Sequence, residues 1–441
     1  MDKQRSGLKG RAVYIVDGCR TPFLKAKGKP GPFTASDLAV AAGRILLERQ
    51  PFAATEFDEV VTGCAMPSPD EANIARVISL RLGCGKAVPA WTVMRNCGSG
   101  MQALDSAAQN ITLGRQDLVL AGGVDAMSHA PLLFKEAMVV WLANWTQART
   151  IGQKLKMLAQ IKPGYLTPVI ALIHGLTDPI VGLSMGQTAE NLAFRFGITR
   201  RQMDEFAVRS HQRLTAAQAA HVLSEVTTIY DKNGRFYQND DGVRADSTVE
   251  KLAKLKPFFD KKFGNVTAGN SSQITDGAAL LILASADAVR RYQLPILGRI
   301  VDTAWAGVDP AEMGLGPVFA STALLQRHGL TRTDIDYWEI NEAFAAQVLA
   351  CLTAWDDAEF CRTNLGLTDK FGRIDDERLN IYGDATAMGH PIGASGARLV
   401  LQLIHILKSK NAKRGVATLC IGGGQGGAML IENVDKISVG E

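Results

Sequence analysis

The chain contains an internal repeat, which is the feature that most constrains its fold. Residues 98–127 and residues 393–429 follow the same order: a glycine-rich turn, a helical pattern, a polar turn, an apolar strand, then consecutive glycines and an Ala-Met pair. Helical periodicity followed by a buried strand is typical of an α/β unit, and the glycines mark its turns. The recurrence therefore predicts a duplicated α/β framework.

Three glycine-rich segments of this repeat carry reactive side chains. Cys97 precedes the first turn, His390 precedes the second, and Cys420 ends the last strand before Gly422. Thiols and an imidazole in turns that the substrate can approach closely favour acyl transfer through a covalent intermediate. Because Cys97 and His390 occupy corresponding helix starts, we expect those helix starts to converge, where N–H groups would stabilise a thiolate and an oxyanion.

The remaining cysteines and histidines lack such a context. A cysteine without a polar partner is usually a small buried side chain, and an isolated histidine is usually structural. We interpret in this way five cysteines, Cys19, Cys64, Cys84, Cys351 and Cys361, and six histidines, His129, His174, His211, His221, His328 and His405.

Size and charge narrow the function classes. With 441 residues, 46% of them hydrophobic and 21% charged, the chain can form two or three packed units. The net charge of +4 comes from dispersed basic residues, so no nucleic-acid partner is expected. Seven cysteines without a C-x-x-C pair, and a polar stretch from Met1 to Arg11 without the apolar run of a signal peptide, favour the cytoplasm or an organelle matrix.

An insertion interrupts the first half of the chain, after the first copy of the repeat. We predict a first half formed by residues 1–130 and 264–287, an inserted loop domain at 131–263, and a second half at 288–441. Within the insertion we expect a helix from Ala189 to Ala220. The polar stretch from Trp355 to Arg378 is predicted to be a surface excursion.

Residues 132–183, which we call the apolar-basic segment, mix apolar and aromatic side chains with lysines and arginine. No run within it reaches the roughly 20 apolar residues of a membrane-spanning helix. Two interpretations remain open: a surface that contacts a membrane or a partner protein, and a loop-domain core with a solvated basic face.

The motifs and their order resemble those of the thiolase family, in particular the degradative 3-ketoacyl-CoA thiolases and the thiolase subunits of fatty-acid β-oxidation complexes. The resemblance implies an α/β thiolase fold: two duplicated βαβαβαββ halves in a five-layered αβαβα arrangement, with an inserted loop domain. It also implies a homodimer or homotetramer, and a hydratase/dehydrogenase subunit is a candidate partner. The motifs lie, besides the three glycine-rich segments, at residues 19–23, 185–191, 266–272, 276–279 and 341–344.

The resemblance also implies catalytic roles. Cys97 would be acylated, and His390 would take its proton and donate a hydrogen bond to the thioester oxygen. Cys420 would shuttle a proton to and from the acetyl-CoA carbanion. The N–H groups of Cys97 and Gly422 would form one oxyanion hole, and His390 with a water held by Asn341 another. No metal or redox cofactor is expected, because CoA and acyl-CoA are substrates.

The resemblance further implies a CoA-binding site. For two of its residues, Met185 and Phe259, ordinary packing in the core is the competing interpretation. The implied contacts are Ser272 and Ala268 near the pantetheine, Met185 and Phe259 along the channel, Arg244 near the nucleotide, and Phe344 in the acyl pocket.

Three positions bear on the subgroup. Ser184 stands where short-chain acetoacetyl-CoA thiolases tend to have histidine, and Asp384 stands where many relatives have a second glycine. Asn341 is typical of soluble thiolases, whereas thiolase subunits of β-oxidation complexes often have histidine.

Other functions remain as alternatives. A biosynthetic acetoacetyl-CoA thiolase would share every catalytic residue. Cys420 and its glycines disfavour a ketosynthase-like condensing enzyme. The presence of all the catalytic residues disfavours a non-catalytic acyl-CoA-binding or scaffold subunit.

Overall fold

The computed structural model describes residues 7–8 and 10–437. Within them lie fourteen strands and fifteen α-helices. The strands are β1 Val13–Arg20, β2 Leu24–Lys25, β3 Glu59–Gly63, β4 Ala90–Val93, β5 Leu118–Ala126, β6 Leu132–Leu133, β7 Val169–Ile170, β8 Ile229–Tyr230, β9 Phe236–Tyr237, β10 Thr275–Ala284, β11 Gly298–Gly307, β12 Tyr337–Ile340, β13 Arg414–Ile421 and β14 Gln425–Glu432. The helices are α1 Ala35–Glu48, α2 Ile74–Arg81, α3 Ser99–Thr112, α4 Glu136–Gln147, α5 Ile151–Leu158, α6 Ala171–Gly175, α7 Met185–Arg195, α8 Arg200–Ala219, α9 Val249–Leu252, α10 Ala286–Tyr292, α11 Gly316–Arg327, α12 Ala345–Asp356, α13 Ala358–Leu365, α14 Ala385–Met388 and α15 Ile392–Ser409.

The main sheet shows the duplication directly. Its strand order is β12-β13-β14-β11-β1-β10-β5-β3-β4, with β2 beside β10. The two halves join where β1 pairs antiparallel with β11. Reading outward from that seam gives β1-β10-β5-β3-β4 in one half and β11-β14-β13-β12 in the other. Where the second half would have its fifth strand, a single parallel bridge joins Trp338 to Leu379.

Side chains that alternate along the strands divide the core into layers. Along β10, Leu280 and Ile282 face the side covered by α1 and α2, whereas Leu281 and Leu283 face α3 and α15. In the second half, Met429 of β14 also faces that central helix pair, and the opposite face of the sheet is covered by α11 and α12. The five-layered αβαβα arrangement expected for a thiolase fold is therefore confirmed.

The helix starts of the two halves meet at glycines. A Cβ on Gly100 of α3 would lie 2.7 Å from the carbonyl oxygen of Gly393, and a Cβ on Gly396 of α15 would lie 2.5 Å from the backbone nitrogen of Met101. Only glycine permits this approach, because any side chain there would collide with backbone. The predicted convergence of the two helix starts is confirmed.

Residues 131–263 contribute no strand to the main sheet: β6 pairs with β7 and β8 pairs with β9. Helices α7 and α8 instead pack against α12. The single helix predicted from Ala189 to Ala220 is wrong, because Gly197 adopts a left-handed φ of 62° and Thr199 begins a new helix with a capping box. The domain boundaries stay a prediction.

The stretch from Trp355 to Arg378 is largely exposed, as predicted for a surface excursion, but a few of its apolar side chains anchor it in the core. Trp355, Phe360 and Ile374 are buried, and the Trp355 ring stacks on Phe371 with centroids 5.3 Å apart. Its sparse apolar residues complete the core beside α12. Among the described residues, no helix combines the length and apolar character needed to cross a membrane.

Candidate active site

The turn that carries Cys97 is tied to the other half of the molecule. Asn96 adopts a left-handed φ of 43°, and its Nδ2 donates to the carbonyl oxygen of Gly422 over 2.8 Å. Cys97 lies two residues before α3 and is half-buried, and the Gly422 N–H is near enough to its sulfur to favour the thiolate. The geometry brings the proposed nucleophile and the Gly422 N–H together.

The Cys97 thiol is not activated in this structure. Burial raises its pKa, and the Asp125 carboxylate raises it further, whereas the Gly422 N–H acts in the opposite direction. The helix start therefore does not by itself produce the thiolate that we expected. A base must take the proton when the substrate is in place.

His390 is held in a turn built for it. Gly389 has a φ of 103°, and a Cβ there would lie 2.2 Å from Thr275 Cγ2, so only glycine fits. The His390 N–H donates to the Gln273 carbonyl over 3.1 Å. Ser272, which precedes Gln273 in the chain, donates its N–H to the Ala343 carbonyl over 2.9 Å. Residues 272–273 thus join the His390 turn to the segment that follows Asn341.

The hydrogen bonds of His390 assign its tautomer. Its Nδ1 lies 2.6 Å from Ser395 Oγ, and that hydroxyl donates to the Pro391 carbonyl over 3.0 Å. Since the hydroxyl hydrogen is used, Nδ1 carries the ring proton and Nε2 carries a lone pair. Nε2 is buried and has no hydrogen-bond partner in the described part of the chain. Burial, followed by the charge of Arg398, lowers the pKa of His390 to about 4, so the ring is a neutral base.

Asn341 presents an unpartnered donor. It follows β12 and is fully buried, and its backbone N–H donates to the Thr418 carbonyl over 3.0 Å. Its Oδ1 accepts from Arg398 Nη2 over 3.3 Å, which orients the amide. Its Nδ2 has no hydrogen-bond partner among the described residues. A buried NH₂ without a partner is suited to hold a water or a carbonyl oxygen.

Cys420 is a protonated thiol close to Cys97. It lies near the end of β13, just before a turn in which Gly423 has a φ of 93°, and it is buried. Burial, together with the neighbouring Cys97 and Cys351 sulfurs, raises its pKa well above the usual value. A thiol with so high a pKa stays protonated and therefore has a proton to give to a strongly basic carbanion. Once it has lost that proton, the thiolate is a strong base.

The predicted CoA-binding residues fall into two groups. Phe259 and Phe344 make an edge-to-face contact with centroids 5.8 Å apart. Met185 Sδ lies 3.1 Å from where a Cβ on Gly422 would be, and Ser272 follows the Ser271–Phe344 bridge. These positions adjoin the thiols and the Asn341 segment.

The other two predicted residues lie at the surface. Ala268 and Arg244 are exposed, and the Arg244 N–H donates to Nδ1 of the buried His211 over 3.2 Å. No described contact joins either residue to the thiols.

Three residues matter to this site that the sequence did not assign a role. Asn96 anchors the Cys97 turn, Ser395 sets the His390 tautomer, and Arg398 orients Asn341. An asparagine directly before a candidate nucleophile in a glycine-rich turn is a signal that could have suggested a left-handed turn residue. Arg398 carried a weaker signal, a charge within an apolar helical pattern.

The cysteines interpreted as structural are all buried. Cys64 alone among them donates to a carboxylate, Asp125 Oδ1 at 3.2 Å, and burial raises its pKa.

The chain matches the family models for the N-terminal domain of thiolase over residues 13–287 and for the C-terminal domain over residues 294–433. The chain belongs to the thiolase family. It is 36% identical over 426 residues to a 3-ketoacyl-CoA thiolase of Yersinia pestis (strain Pestoides F), covering 96% of this chain and 97% of that one.

Solved thiolase structures agree over nearly the whole chain. The crystal structure of the Bacillus anthracis acetyl-CoA acetyltransferase superposes with a TM-score of 0.83 at 37% identity, covering 97% of this chain and all of that one. Human mitochondrial 3-ketoacyl-CoA thiolase in complex with CoA superposes with a TM-score of 0.82 at 36% identity, covering 98% of this chain and all of that one.

Proposed function

We propose that this thiolase is a 3-ketoacyl-CoA thiolase, an acyltransferase that uses CoA to cleave a 3-ketoacyl-CoA into acetyl-CoA and a shortened acyl-CoA, as in fatty-acid β-oxidation. The full-length similarity to named 3-ketoacyl-CoA thiolases supports this substrate class. The site supports the chemistry. The observation that carries the proposal is a pair of neighbouring protonated thiols accompanied by the buried, unpartnered His390 Nε2 and Asn341 Nδ2.

The first half-reaction breaks a carbon–carbon bond. His390 Nε2 takes the proton of Cys97, and the thiolate attacks the 3-keto carbon. As the tetrahedral adduct collapses, the Cα–Cβ bond breaks and its electrons pass to the acetyl-CoA enolate. The enolate takes the proton of Cys420 and leaves as acetyl-CoA. Asn341 and protonated His390 would stabilise the negative charge on the enolate oxygen.

The second half-reaction returns every group to its resting state. The Cys420 thiolate takes the proton of the incoming CoA thiol, which attacks the acyl-Cys97 thioester. The N–H groups of Cys97 and Gly422 stabilise the oxyanion. The Cys97 thiolate then leaves and recovers its proton from His390. The sequence of steps uses CoA as a substrate and requires no metal or redox cofactor.

The direct test is thiolysis of 3-ketoacyl-CoAs of increasing chain length, combined with mass spectrometry of the enzyme quenched during turnover. We expect turnover with several chain lengths and an acyl adduct on the peptide that contains Cys97. Cys361, which is buried and has no place in the proposed steps, provides a matched control: Cys361→Ala should keep both the adduct and the turnover. Absence of any adduct would contradict the proposal.

A biosynthetic acetoacetyl-CoA thiolase is the second candidate, because the Bacillus anthracis structure with a similar TM-score is an acetyl-CoA acetyltransferase. Ser184 argues for the 3-ketoacyl-CoA thiolase, because it is the N-cap residue of α7 and forms a capping box with Gln187. A histidine there would lose this cap. Activity confined to acetoacetyl-CoA in the chain-length series would favour the second candidate.

The surface supports an oligomer. Strand β4 is the last strand of the main sheet, and Trp91 within it and Met94 just beyond it are exposed. An open edge with apolar side chains suits pairing with a second copy. A homodimer or homotetramer is therefore proposed.

The seven free cysteines support a reducing compartment, either the cytoplasm or an organelle matrix.

The apolar-basic segment supports a peripheral contact. Ile151 and Leu155 lie one turn apart on α5 and are 80% and 61% exposed, and Leu132 is 67% exposed. Lys154 lies beside them, with its Nζ 5.7 Å from the ring of Trp145. Exposed apolar side chains among cations suit a surface of anionic lipid.

Vesicle co-sedimentation at two salt concentrations tests this contact. We expect binding to anionic but not to neutral vesicles, weaker at high salt, and loss of binding when Ile151 and Leu155 are both changed to Ser. Phe194→Ser, at an exposed position outside the segment, serves as the control. Salt-insensitive capture of a hydratase/dehydrogenase subunit without vesicle binding would instead assign the segment to that partner.

A further inference from the structure

Behind Asn341 lies a buried cluster of one cation and three carboxyl groups. Its members are Arg398, Asp384, Glu339 and Glu342, and each is at most 2% exposed. Arg398 Nη1 donates to Asp384 Oδ2 and lies 3.6 Å from Glu339 Oε2. Arg398 Nη2 donates to Asn341 Oδ1 over 3.3 Å. One guanidinium therefore connects two of these carboxyl groups, those of Asp384 and Glu339, to an amide of the active site.

Two carboxyl groups compete for this guanidinium. Neither oxygen of Glu339 has a hydrogen-bond partner among the described residues, so Glu339 can accept Arg398 if Asp384 releases it. Movement of Arg398 toward Glu339 would withdraw Nη2 from Asn341 Oδ1. The amide would then lose the contact that sets its orientation. The bond from Arg398 to Asp384 decides between these two arrangements.

Asp384 also bonds to the backbone on both sides of the site. Its Oδ1 accepts from the Glu342 N–H over 2.9 Å, in the residue after Asn341, and from the Ala385 N–H at the start of α14. Helix α14 leads through Gly389 to His390. The φ of Asp384 is −147°, an extended conformation open to any residue, so its place in a position occupied by glycine in many relatives causes no backbone strain.

We propose that Asp384 is a positioning residue for the carbon–carbon bond step: it holds Arg398 against Asn341 Oδ1 and thereby keeps Asn341 Nδ2 available to the substrate oxygen or its water. The inference rests on the proposed function, because it assigns Asn341 to the oxygen of the departing acetyl group. Asp384 itself touches no substrate. Its effect passes through Arg398.

This assignment predicts an asymmetry between the two partial reactions. Exchange of a simple acyl group between acyl-CoA and CoA uses Cys97 and the Gly422 N–H, whereas thiolysis and condensation also need Asn341. A defect in the orientation of Asn341 should slow the carbon–carbon step and spare acyl exchange. A general structural defect would slow both.

The test compares kcat for thiolysis with kcat for acyl exchange in Asp384→Asn. The new side chain keeps an oxygen for the Glu342 and Ala385 N–H groups but loses the charge that holds Arg398. We expect thiolysis to fall by about tenfold to a hundredfold, below the ~10² to 10³ seen when an oxyanion-hole donor is deleted, with acyl exchange changed less than about twofold. KM should change little. Asp375→Asn, an exposed aspartate beside Arg332, is the matched control.

A second variant keeps the proposal testable if Asp384→Asn does not fold. Arg398→Lys retains a cation for Asp384 but replaces the forked guanidinium, which bonds Asp384 and Asn341 through separate nitrogens, with a single ammonium nitrogen, so it should show the same selective loss of thiolysis. Equal loss of both activities, or no loss of thiolysis, in either folded variant would overturn the positioning role. Absence of thiolysis in the unaltered enzyme, with acyl exchange intact, would overturn the proposed function and this inference together.

Discussion

The two halves of this thiolase use one backbone position for opposite chemistry. Cys97 lies two residues before α3, and His390 lies two residues before α15. Cys97 is half-buried and follows Asn96, whose backbone is left-handed. His390 is buried and follows Gly389, whose φ is also positive. Duplication therefore preserved the place where each half meets the other. The side chain at that place diverged into a nucleophile and a base.

The comparison also shows why neither side is reactive alone. Burial raises the pKa of the Cys97 thiol and lowers that of His390 to about 4. A thiolate beside an imidazolium is thus disfavoured at rest, and the neutral pair is favoured. The proton moves only when the substrate, the Gly422 N–H and Asn341 stabilise the resulting negative charge. This arrangement protects the nucleophile until the substrate binds.

The largest expected effect separates the two cysteines. Cys97→Ala should abolish the acyl adduct and lower kcat for thiolysis by about 10⁴ to 10⁶, the range seen when single members of a catalytic triad are removed. Cys420→Ala should still be acylated by an activated thioester, but should lose about 10² to 10⁴ in thiolysis and condensation as the proton shuttle is removed. Adduct mass and both rates would be measured. Near-normal turnover of Cys420→Ala in both directions would end the division of roles between the two cysteines.

The fold of this thiolase could be predicted from its sequence to a greater extent than the chemical state of its active site. The repeat of glycine turn, helix and strand was visible because its glycines and apolar periodicity are local. The tautomer of His390 was not, because it depends on whether Ser395 has another acceptor, which is found in the carbonyl of Pro391. The thiol pKa likewise depends on burial by the other half of the fold, so reasoning from the helix start alone gave the wrong direction.

The second effect tests how the base is prepared. Ser395→Ala removes the acceptor of the His390 Nδ1–H, so the ring proton can move to Nε2 and the base is lost for part of the population. We expect kcat for thiolysis to fall by about tenfold to a hundredfold with little change in KM, the range seen when partners that orient metal-ligating histidines are removed. Nitrogen NMR of the imidazole would report the tautomer.

Ser409→Ala is the control in the same helix, because Ser409 also donates to an earlier carbonyl of α15, that of Ile406. It should leave both kcat and the imidazole spectrum unchanged. An unaltered tautomer in Ser395→Ala would show that another contact sets the ring proton.

The third effect tests the contact between the halves. In Gly396→Ala the new methyl would meet the Met101 backbone nitrogen at 2.5 Å, so the central helices must separate. We expect a loss of about 1 to 3 kcal/mol in the free energy of unfolding, as for other overpacked cores. Gly152→Ala is the matched control: it lies in α5, and nothing lies within 4 Å of the added methyl. That variant should gain about 0.5 to 1 kcal/mol. Equal effects in urea unfolding would contradict close packing at Gly396.

The smallest effect concerns how the buried base responds to pH. Because the pKa of His390 is about 4 in the folded enzyme, against about 6.5 for an exposed histidine, the unfolded chain binds more protons between those values. The contribution of the neutral ring to stability is therefore complete above pH 6.5 and is lost as the pH falls toward 4. At pH 5.5 the loss should be about 1.4 kcal/mol relative to pH 8. His390→Gln removes the titrating group, so its stability should decline less steeply over this range, whereas His174→Gln, at an exposed position, should follow the unaltered enzyme. Urea unfolding at several pH values would give the free energy of unfolding against pH for the three proteins. Identical slopes would show that burial does not hold His390 neutral. The contrast between a neutral base at one helix start and a protonated thiol at the other would then be lost.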